Sequence, residues 1–336
     1  MSERIRLAII FAGQGAQKQG MGKSLAGASA AARDVFDRAG EEIRYDCFEA
    51  DADRLKETEV TQPAVYTMDY AAYAALLEAC GEKLPRILGT AGFSLGEYAA
   101  FAAAGVIGSF EEGLELVKKR GLLMKAAGRY ADGSPRGAMA AAMGDPAAAI
   151  LLTEKARGDD VLEAVNFNSP AQTVVAGDAA AIERFRDLAK ADKSLGVKAI
   201  PLPVSTAFHS PIMAPAAAGF AEVVSAYGFG RPKYKVYLNI TGEGLDGGTA
   251  DADVNDGEAA FSDTVRDVMT RQMKSPVRWQ TTIENMARDG INTIVEAGPG
   301  RTLSGLAKKT VPELAVFHVE DAESLAEAAA YLREAE

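Results

Sequence analysis

The stretch Gly89-Thr-Ala-Gly-Phe-Ser-Leu-Gly-Glu-Tyr-Ala-Ala100 constrains this chain more than any other. Apolar Ile87 and Leu88 precede it, and an alanine-rich, helix-favouring run follows. Within it, Gly92-x-Ser94-x-Gly96 has the pattern of a sharp strand-to-helix turn that lifts a serine hydroxyl out of the fold. Such a turn is too tight for side chains at its flanks, which accounts for the glycines. Ser94 is therefore a candidate nucleophile. The turn also brings the backbone N–H of Leu95 to a helix N-terminus, where a developing oxyanion would be stabilised. The same pattern suits a glycine-rich turn whose serine is incidental, so what else the chain supplies must decide.

Residues 7–11 read as a short buried parallel strand ended by glycine. Gly13-Gln14-Gly15-Ala16-Gln17 follows. It does not complete a dinucleotide fingerprint, because Gln17 and Lys18 stand where a third glycine would open a helix; the loop offers backbone N–H groups and two amides instead. Helical patterns come next at 30–44 and 63–80, the second with Pro63 at its first position, where a missing N–H costs nothing. Then comes the strand into the turn. This alternation predicts a hydrolase-like parallel α/β sheet with helices on both faces. From 137 to 201 the order becomes β-α-β-β-α-β, that of a ferredoxin-like unit. The expected division is a catalytic core of 1–130 and 203–336, with 131–202 inserted as a small ferredoxin-like subdomain. Beyond it a Gly- and Asp-rich stretch, 241–258, reads as a solvated loop without calcium-loop spacing. Helices at 263–273, 279–288, 302–309 and 322–334 and strands at 236–240, 293–297 and 314–319 complete the pattern.

Ser109-Phe-Glu-Glu112 is a capping box, so a helix starts near Phe110 and runs to about Ala127. At roughly 100° per residue, Phe110, Leu116, Val117, Gly121, Leu123, Met124 and Ala127 share one arc. Arg120 lies inside that arc, between Leu116 and Met124. A cation there needs a partner, since an unpaired buried charge is very costly. A salt bridge to a nearby carboxylate would satisfy it. So would a bidentate clamp on a substrate carboxylate, a task suited to the planar guanidinium.

With 336 residues, 48% hydrophobic and 25% charged, the chain has an ordinary globular profile, long enough for a large core plus a smaller unit. A net charge of −11 argues against general binding to nucleic acid or an anionic membrane. Cys47 and Cys80 make neither a disulfide framework nor a metal-ligand spacing. The N-terminus lacks a signal peptide's long apolar region, and no apolar stretch reaches membrane-spanning length, so a cytoplasmic protein is expected. There are 2 histidines to serve as base for Ser94. His318 lies in the apolar run Leu314-Ala-Val-Phe-His-Val319 and reads as a core or sheet-edge residue, although its late position fits a Ser…Asp…His order. His209 lies on a loop before Pro211, where catalytic bases tend to sit, and is preferred. Pattern alone does not name the group that orients it.

At this point the chain resembles the bacterial malonyl-CoA:acyl carrier protein transacylases and the related acyltransferase domains of fatty-acid and polyketide synthases. The matching stretches are Gly13-Gln-Gly-Ala-Gln17, Thr61-Gln-Pro63, Gly92-Phe-Ser-Leu-Gly-Glu97, Lys119-Arg-Gly121, Gly137-Ala-Met-Ala140, Asn168-Ser-Pro170, Phe208-His-Ser-Pro211, Asn239-Ile-Thr-Gly242, Ser275-Pro-Val277 and Glu296-Ala-Gly-Pro-Gly300. They cover nearly the whole length in family order. The resemblance implies Ser94 as nucleophile, His209 as its base and Arg120 as the malonyl carboxylate clamp. It further implies an oxyanion hole from the N–H groups of Gln14 and Leu95, and Gln272 near the histidine, where a backbone carbonyl orients the imidazole. Phe93 replaces the histidine usual before the nucleophile, which bears on acyl selectivity and hydrolysis. Phe208 resembles members that take malonyl rather than bulkier units, since an aromatic there narrows the acyl pocket.

The implied activity is transfer of malonyl from malonyl-CoA to holo acyl carrier protein, with no metal and no cofactor beyond the CoA thioester. An acyl-thioester hydrolase using the same Ser-His pair is the alternative, and Arg120 discriminates between them. Lys125, Arg129, Arg136, Arg278, Lys308 and Lys309 are candidates for a cationic rim facing the carrier.

Overall fold

The computed structural model describes residues 4–204, 206–246 and 254–334. The chain begins with β1 (Leu7–Phe11), α1 (Lys23–Ala28), α2 (Ala30–Ala39), α3 (Glu41–Phe48) and α4 (Thr58–Cys80). Next come β2 (Ile87–Gly92), α5 (Gly96–Ala104) and α6 (Phe110–Ala127). A middle stretch holds β3 (Ala138–Met143), α7 (Pro146–Arg157), β4 (Leu162–Ser169), β5 (Gln172–Gly177), α8 (Ala179–Ala191) and β6 (Lys198–Pro201). The chain closes with α9 (Ala214–Ser225), β7 (Lys235–Tyr237), β8 (Gly244–Leu245), α10 (Val254–Gln272), α11 (Trp279–Arg288), β9 (Thr293–Ala297), α12 (Thr302–Thr310), β10 (Ala315–Val319) and α13 (Ala322–Glu334).

These strands form two sheets. The larger has the order β10-β9-β1-β2-β7-β8 and is parallel except for the β7–β8 pair. The smaller, β4-β5-β3-β6, is antiparallel throughout. Strand β1 shows why the first strand reads as continuously apolar: it is buried on both faces. Leu7, Ile9 and Phe11 pack into one cluster with α4, α5 and α6, while Ala8 and Ile10 face Trp279, Ile283, Leu303 and Leu306 of α11 and α12. Each such large side chain contributes about 1.5–3 kcal/mol on burial. The smaller sheet has its own cluster around Leu152, Leu162, Ile182 and Phe185. It meets the rest of the chain where Phe167 N–H donates to the Val277 carbonyl and Val277 N–H to that of Val165.

Several expected boundaries shift. The helix expected over 30–44 breaks at Gly40, whose φ of 94° no helix accommodates. Pro63 is not the first residue of its helix: α4 begins at Thr58, because the Glu57 carbonyl already collects the N–H groups of Val60 and Thr61. The proline then sits one turn in and removes a single internal donor. Of the loop expected over 241–258, residues 244–245 form β8, residues 247–253 lie outside the described residues, and α10 has begun by Val254.

Candidate active site

Ser94 occupies the apex of the turn between β2 and α5, with φ at 52°. Both flanks enforce the conformation. A Cβ on Gly92 would meet the Gly96 carbonyl at 1.9 Å, and one on Gly96 would meet the Phe11 carbonyl oxygen at 2.3 Å. Among the described residues, Ser94 and His209 are the two non-glycines with positive φ. Such disfavoured backbone tends to persist where surrounding structure over-determines it, often at a functional site.

The two strained residues face each other. His209, 2% exposed, places Nε2 2.7 Å from Ser94 Oγ. Its Nδ1 lies 2.9 Å from the Gln272 carbonyl and 3.1 Å from that of Ser275. Both oxygens can only accept, so Nδ1 carries the proton and Nε2 is free to receive the serine proton. Burial, and then the Arg120 cation, lower the imidazole pKa from its ordinary 6.5 to about 4, against the pull of the two carbonyls.

Arg120 reaches the same point from α6. It is 1% exposed, with Nη1 donating to Gln62 Oε1 at 2.9 Å and Nη2 to Gln272 Oε1 at 3.0 Å. Nη2 also lies 3.2 Å from Ser94 Oγ, and the guanidinium stacks 5.3 Å from the centre of the Tyr98 ring. These partners are a hydroxyl, two amides and an aromatic face, and none is a carboxylate. The salt-bridge reading of this buried cation is therefore not what the structure adopts. Glu97 is near enough to favour the charged guanidinium, but burial dominates and lowers the Arg120 pKa.

Leu95 is the residue before α5, and its N–H stands at that helix's N-terminus. The Gln14 loop approaches the turn closely: a Cβ on Gly13 would lie 2.4 Å from the Phe93 carbonyl oxygen. Gln14 Nε2 donates to Thr58 Oγ1 at 3.3 Å. Gln272 supplies three contacts, since besides its carbonyl and Oε1 its Nε2 donates to the Ser94 carbonyl at 2.6 Å. Phe93 packs edge-on against Trp279, with ring centres 5.5 Å apart. Phe93 and Phe208, with Gln14, Ser94, Arg120 and His209, line a cleft of about 510 Å³ between the two sheets.

Other candidates fall outside the cleft. His318, on edge strand β10, lies 3.8 Å from Glu320 and is not a base for Ser94. The six rim cations do not line the cleft: Lys125 pairs with Glu59, and Arg278 lies over the Phe167 ring. Sequence reasoning assigned no role to Gln62, Glu97, Asn239 or Ser275, although all four fall within the stretches that carry the resemblance. Glu97 is buried and accepts from the Asn239 backbone N–H. Burial raises its pKa to about 7, opposed by hydrogen bonds from Asn239 and Gln272 and by Arg120. The one sequence signal for Glu97 was a polar residue inside an otherwise apolar run, and Gln62, just before Pro63, gave none of its own.

Residues 8–335 match the acyl transferase domain family. The chain is 36% identical to a malonyl CoA-acyl carrier protein transacylase of Haemophilus influenzae over 95% of its own length and 96% of that protein's. It is 35% identical to the Escherichia coli K12 enzyme of the same name, over 96% and 98%. Among solved structures it resembles an acyl-carrier-protein S-malonyltransferase of Burkholderia pseudomallei, with 36% identity, a TM-score of 0.85 and coverage of 97% and 100%. It also resembles a malonyl-transacylase solved in complex with its type II PKS acyl-carrier protein, with 32% identity, a TM-score of 0.85 and coverage of 97% and 99%. With relatives matched along nearly their full length, the chain belongs to the acyl transferase domain family, among its malonyl CoA-acyl carrier protein transacylases.

Proposed function

We propose that this protein transfers the malonyl group of malonyl-CoA to the phosphopantetheine thiol of an acyl carrier protein through a malonyl-Ser94 intermediate, supplying extender units for fatty-acid or polyketide synthesis. The observation that carries this reading is the buried Arg120 guanidinium 3.2 Å from the Ser94 hydroxyl, with no carboxylate partner among the described residues. A cation held there suits an acyl group that ends in a carboxylate. The hydrolase alternative draws no support from the relatives above.

In the first half-reaction Ser94 Oγ attacks the thioester carbonyl while its proton passes to His209 Nε2. The oxyanion is received by the N–H groups of Leu95 and Gln14. Collapse breaks the C–S bond, and CoA leaves with the proton returned by His209. The carrier's thiol then enters, gives its proton to His209 and attacks the malonyl ester; collapse breaks the ester C–O bond and Ser94 Oγ takes the proton back from His209. Gln272 orients the imidazole through its carbonyl, Arg120 aligns the malonate, and Phe93 and Phe208 shape the acyl pocket. The thioester supplies the activated carbon, so this chemistry calls for no metal or redox cofactor.

The same reading extends to the architecture. The small sheet, with chain order 2-3-1-4 in an antiparallel βαββαβ unit, suits a ferredoxin-like subdomain over 131–202. It would be inserted into a hydrolase-like core of 1–130 and 203–336. Two buried free cysteines suit a reducing, cytoplasmic setting, and no helix among the described residues is long and apolar enough to cross a membrane.

The test is intact-protein mass spectrometry after brief incubation with malonyl-CoA or acetyl-CoA, followed by holo carrier protein. A malonyl adduct on Ser94 that moves to the carrier is expected. An adduct lost to water, with none on the carrier, would replace this reading with the hydrolase.

A further inference from the structure

Asn239 follows β7, the strand beside β2, and is 1% exposed. Its side chain spans the nucleophile turn. Oδ1 accepts from the Ser94 backbone N–H at 2.7 Å, and Nδ2 donates to the Gly92 carbonyl at 2.6 Å. Its own N–H donates to Glu97 Oε1 at 2.6 Å, and its carbonyl accepts from the Arg278 N–H at 2.8 Å. One buried residue thus ties the end of β2, the apex of the turn and the first turn of α5. The turn's own hydrogen bonds run from Gly96 to the Phe93 carbonyl and from Glu97 to the Ser94 carbonyl, and leave the Ser94 N–H and the Gly92 carbonyl to Asn239.

We infer that Asn239 is a positioning residue for the nucleophile: its carboxamide straps the turn in the left-handed conformation that aims Ser94 Oγ at His209. The role needs an acceptor and a donor on one short planar group. Asparagine has both. Aspartate accepts, but donates only when protonated, and alanine does neither. Without the strap the buried N–H and carbonyl lose their partners, the strained φ relaxes, and the hydroxyl leaves its line to Nε2. The inference rests on Ser94 being the nucleophile proposed above, but not on malonyl being its substrate.

A fluorophosphonate reagent tests it directly. Ser94 Oγ bonds to phosphorus, fluoride leaves, and the hydroxyl proton passes to His209, so the labelling rate reads the aim of the hydroxyl whatever the natural acyl group. Asn239→Ala should label roughly 10- to 100-fold more slowly than wild type, the scale of loss for a misaligned reacting group. The KM for malonyl-CoA should stay within about twofold, since no substrate contact is removed. Asn239→Asp should be equally slow at pH 8 and recover as pH falls towards 5. Its carboxyl, buried beside Glu97 and the Ser94 N–H, with Arg120 and His209 on the Ser94 hydroxyl, then gains the proton with which it donates to the Gly92 carbonyl. Wild type should show no such recovery. Labelling within threefold of wild type in folded Asn239→Ala, or an Asn239→Asp pH profile parallel to wild type, would overturn the strap. If Asn239→Ala does not fold, the Asn239→Asp profile decides alone. Wild type that resists the reagent would instead remove Ser94 as the nucleophile, a distinguishable failure.

Discussion

His209 Nε2 lies 2.7 Å from Ser94 Oγ, while the ring's opposite nitrogen is held by two backbone carbonyls rather than a carboxylate. Neutral carbonyls fix the tautomer without adding a negative charge that would stabilise the imidazolium. Burial and the nearby Arg120 then decide the pKa, and both push it down.

Removing either member of this pair should cost about 10³–10⁴ in kcat/KM for malonyl transfer. The two act as one unit, so Ser94→Ala combined with His209→Ala should be little worse than either alone. Steady-state kinetics on the three variants measures this. Additive losses would mean the two residues do not share one proton-transfer step.

The acylation rate should be level across neutral pH and fall, with a one-proton slope, only as pH drops through about 4, where His209 takes a proton. The base must be neutral to act, so the loss lies on the acid side. Arg120 is the second cause of the lowered pKa, and Arg120→Ala should move this limb up towards 6.5. Stability follows the same sign. The unfolded chain binds the proton below about pH 6.5 and the folded chain does not, so the His209 contribution is lost as pH falls from 6.5 towards 4. Stopped-flow acylation against pH checks the kinetic part.

Arg120→Ala should reduce the preference for malonyl-CoA over acetyl-CoA by about 10²-fold, the worth of one or two charge-assisted hydrogen bonds. Arg120→Lys should not restore it, because an ammonium cannot hold Gln62, Gln272 and a carboxylate in one plane. Comparing kcat/KM for the two donors across the variants tests both statements. An unchanged preference would remove Arg120 as the clamp.

Glu97 carries the opposite linkage. Its folded pKa is raised to about 7, so its contribution to stability is present below the ordinary 4.5 and lost as pH rises through 7. Glu97→Gln keeps an acceptor for the Asn239 N–H without a charge to bury. The midpoint of thermal unfolding should rise by roughly a few degrees at pH 8 and change little at pH 5. A uniform shift at both pH values would mean that packing, not ionisation, sets the difference.

Much of the site was legible because its local chemistry is written in short stretches. The glycines around Ser94 mark a turn that tolerates no side chain, and Arg120 interrupts an apolar arc whose other members, half-buried Leu123 apart, are core. Two histidines narrowed the base to a choice in which loop position favoured His209 and the resemblance agreed, and the structure places His209, not His318, beside Ser94 Oγ. Less legible were residues whose task is to hold others. Asn239 stands 145 positions from Ser94 and Gln272 stands 152 from Arg120, and no local pattern predicts that either pair touches. Boundaries shifted where a backbone preference competed with periodicity, as at Gly40, or where an upstream carbonyl opened a helix ahead of Pro63.

The sequence by itself determined the alternation of strands and helices, the strand-turn-helix that exposes Ser94, the helix that carries Arg120 on its buried face, and the family. These follow from side-chain period, capping and glycine sterics, all properties of a few consecutive residues. The tertiary structure alone decided which groups complete the centre. Parallel pairing of β2 with β7 delivers Asn239 to the turn, and the end of α10 delivers Gln272 and its carbonyl to His209. That convergence depends on packing two sheets and their helices around one cleft. Distances set across the whole fold, rather than along the chain, bring a histidine and an arginine onto one serine hydroxyl.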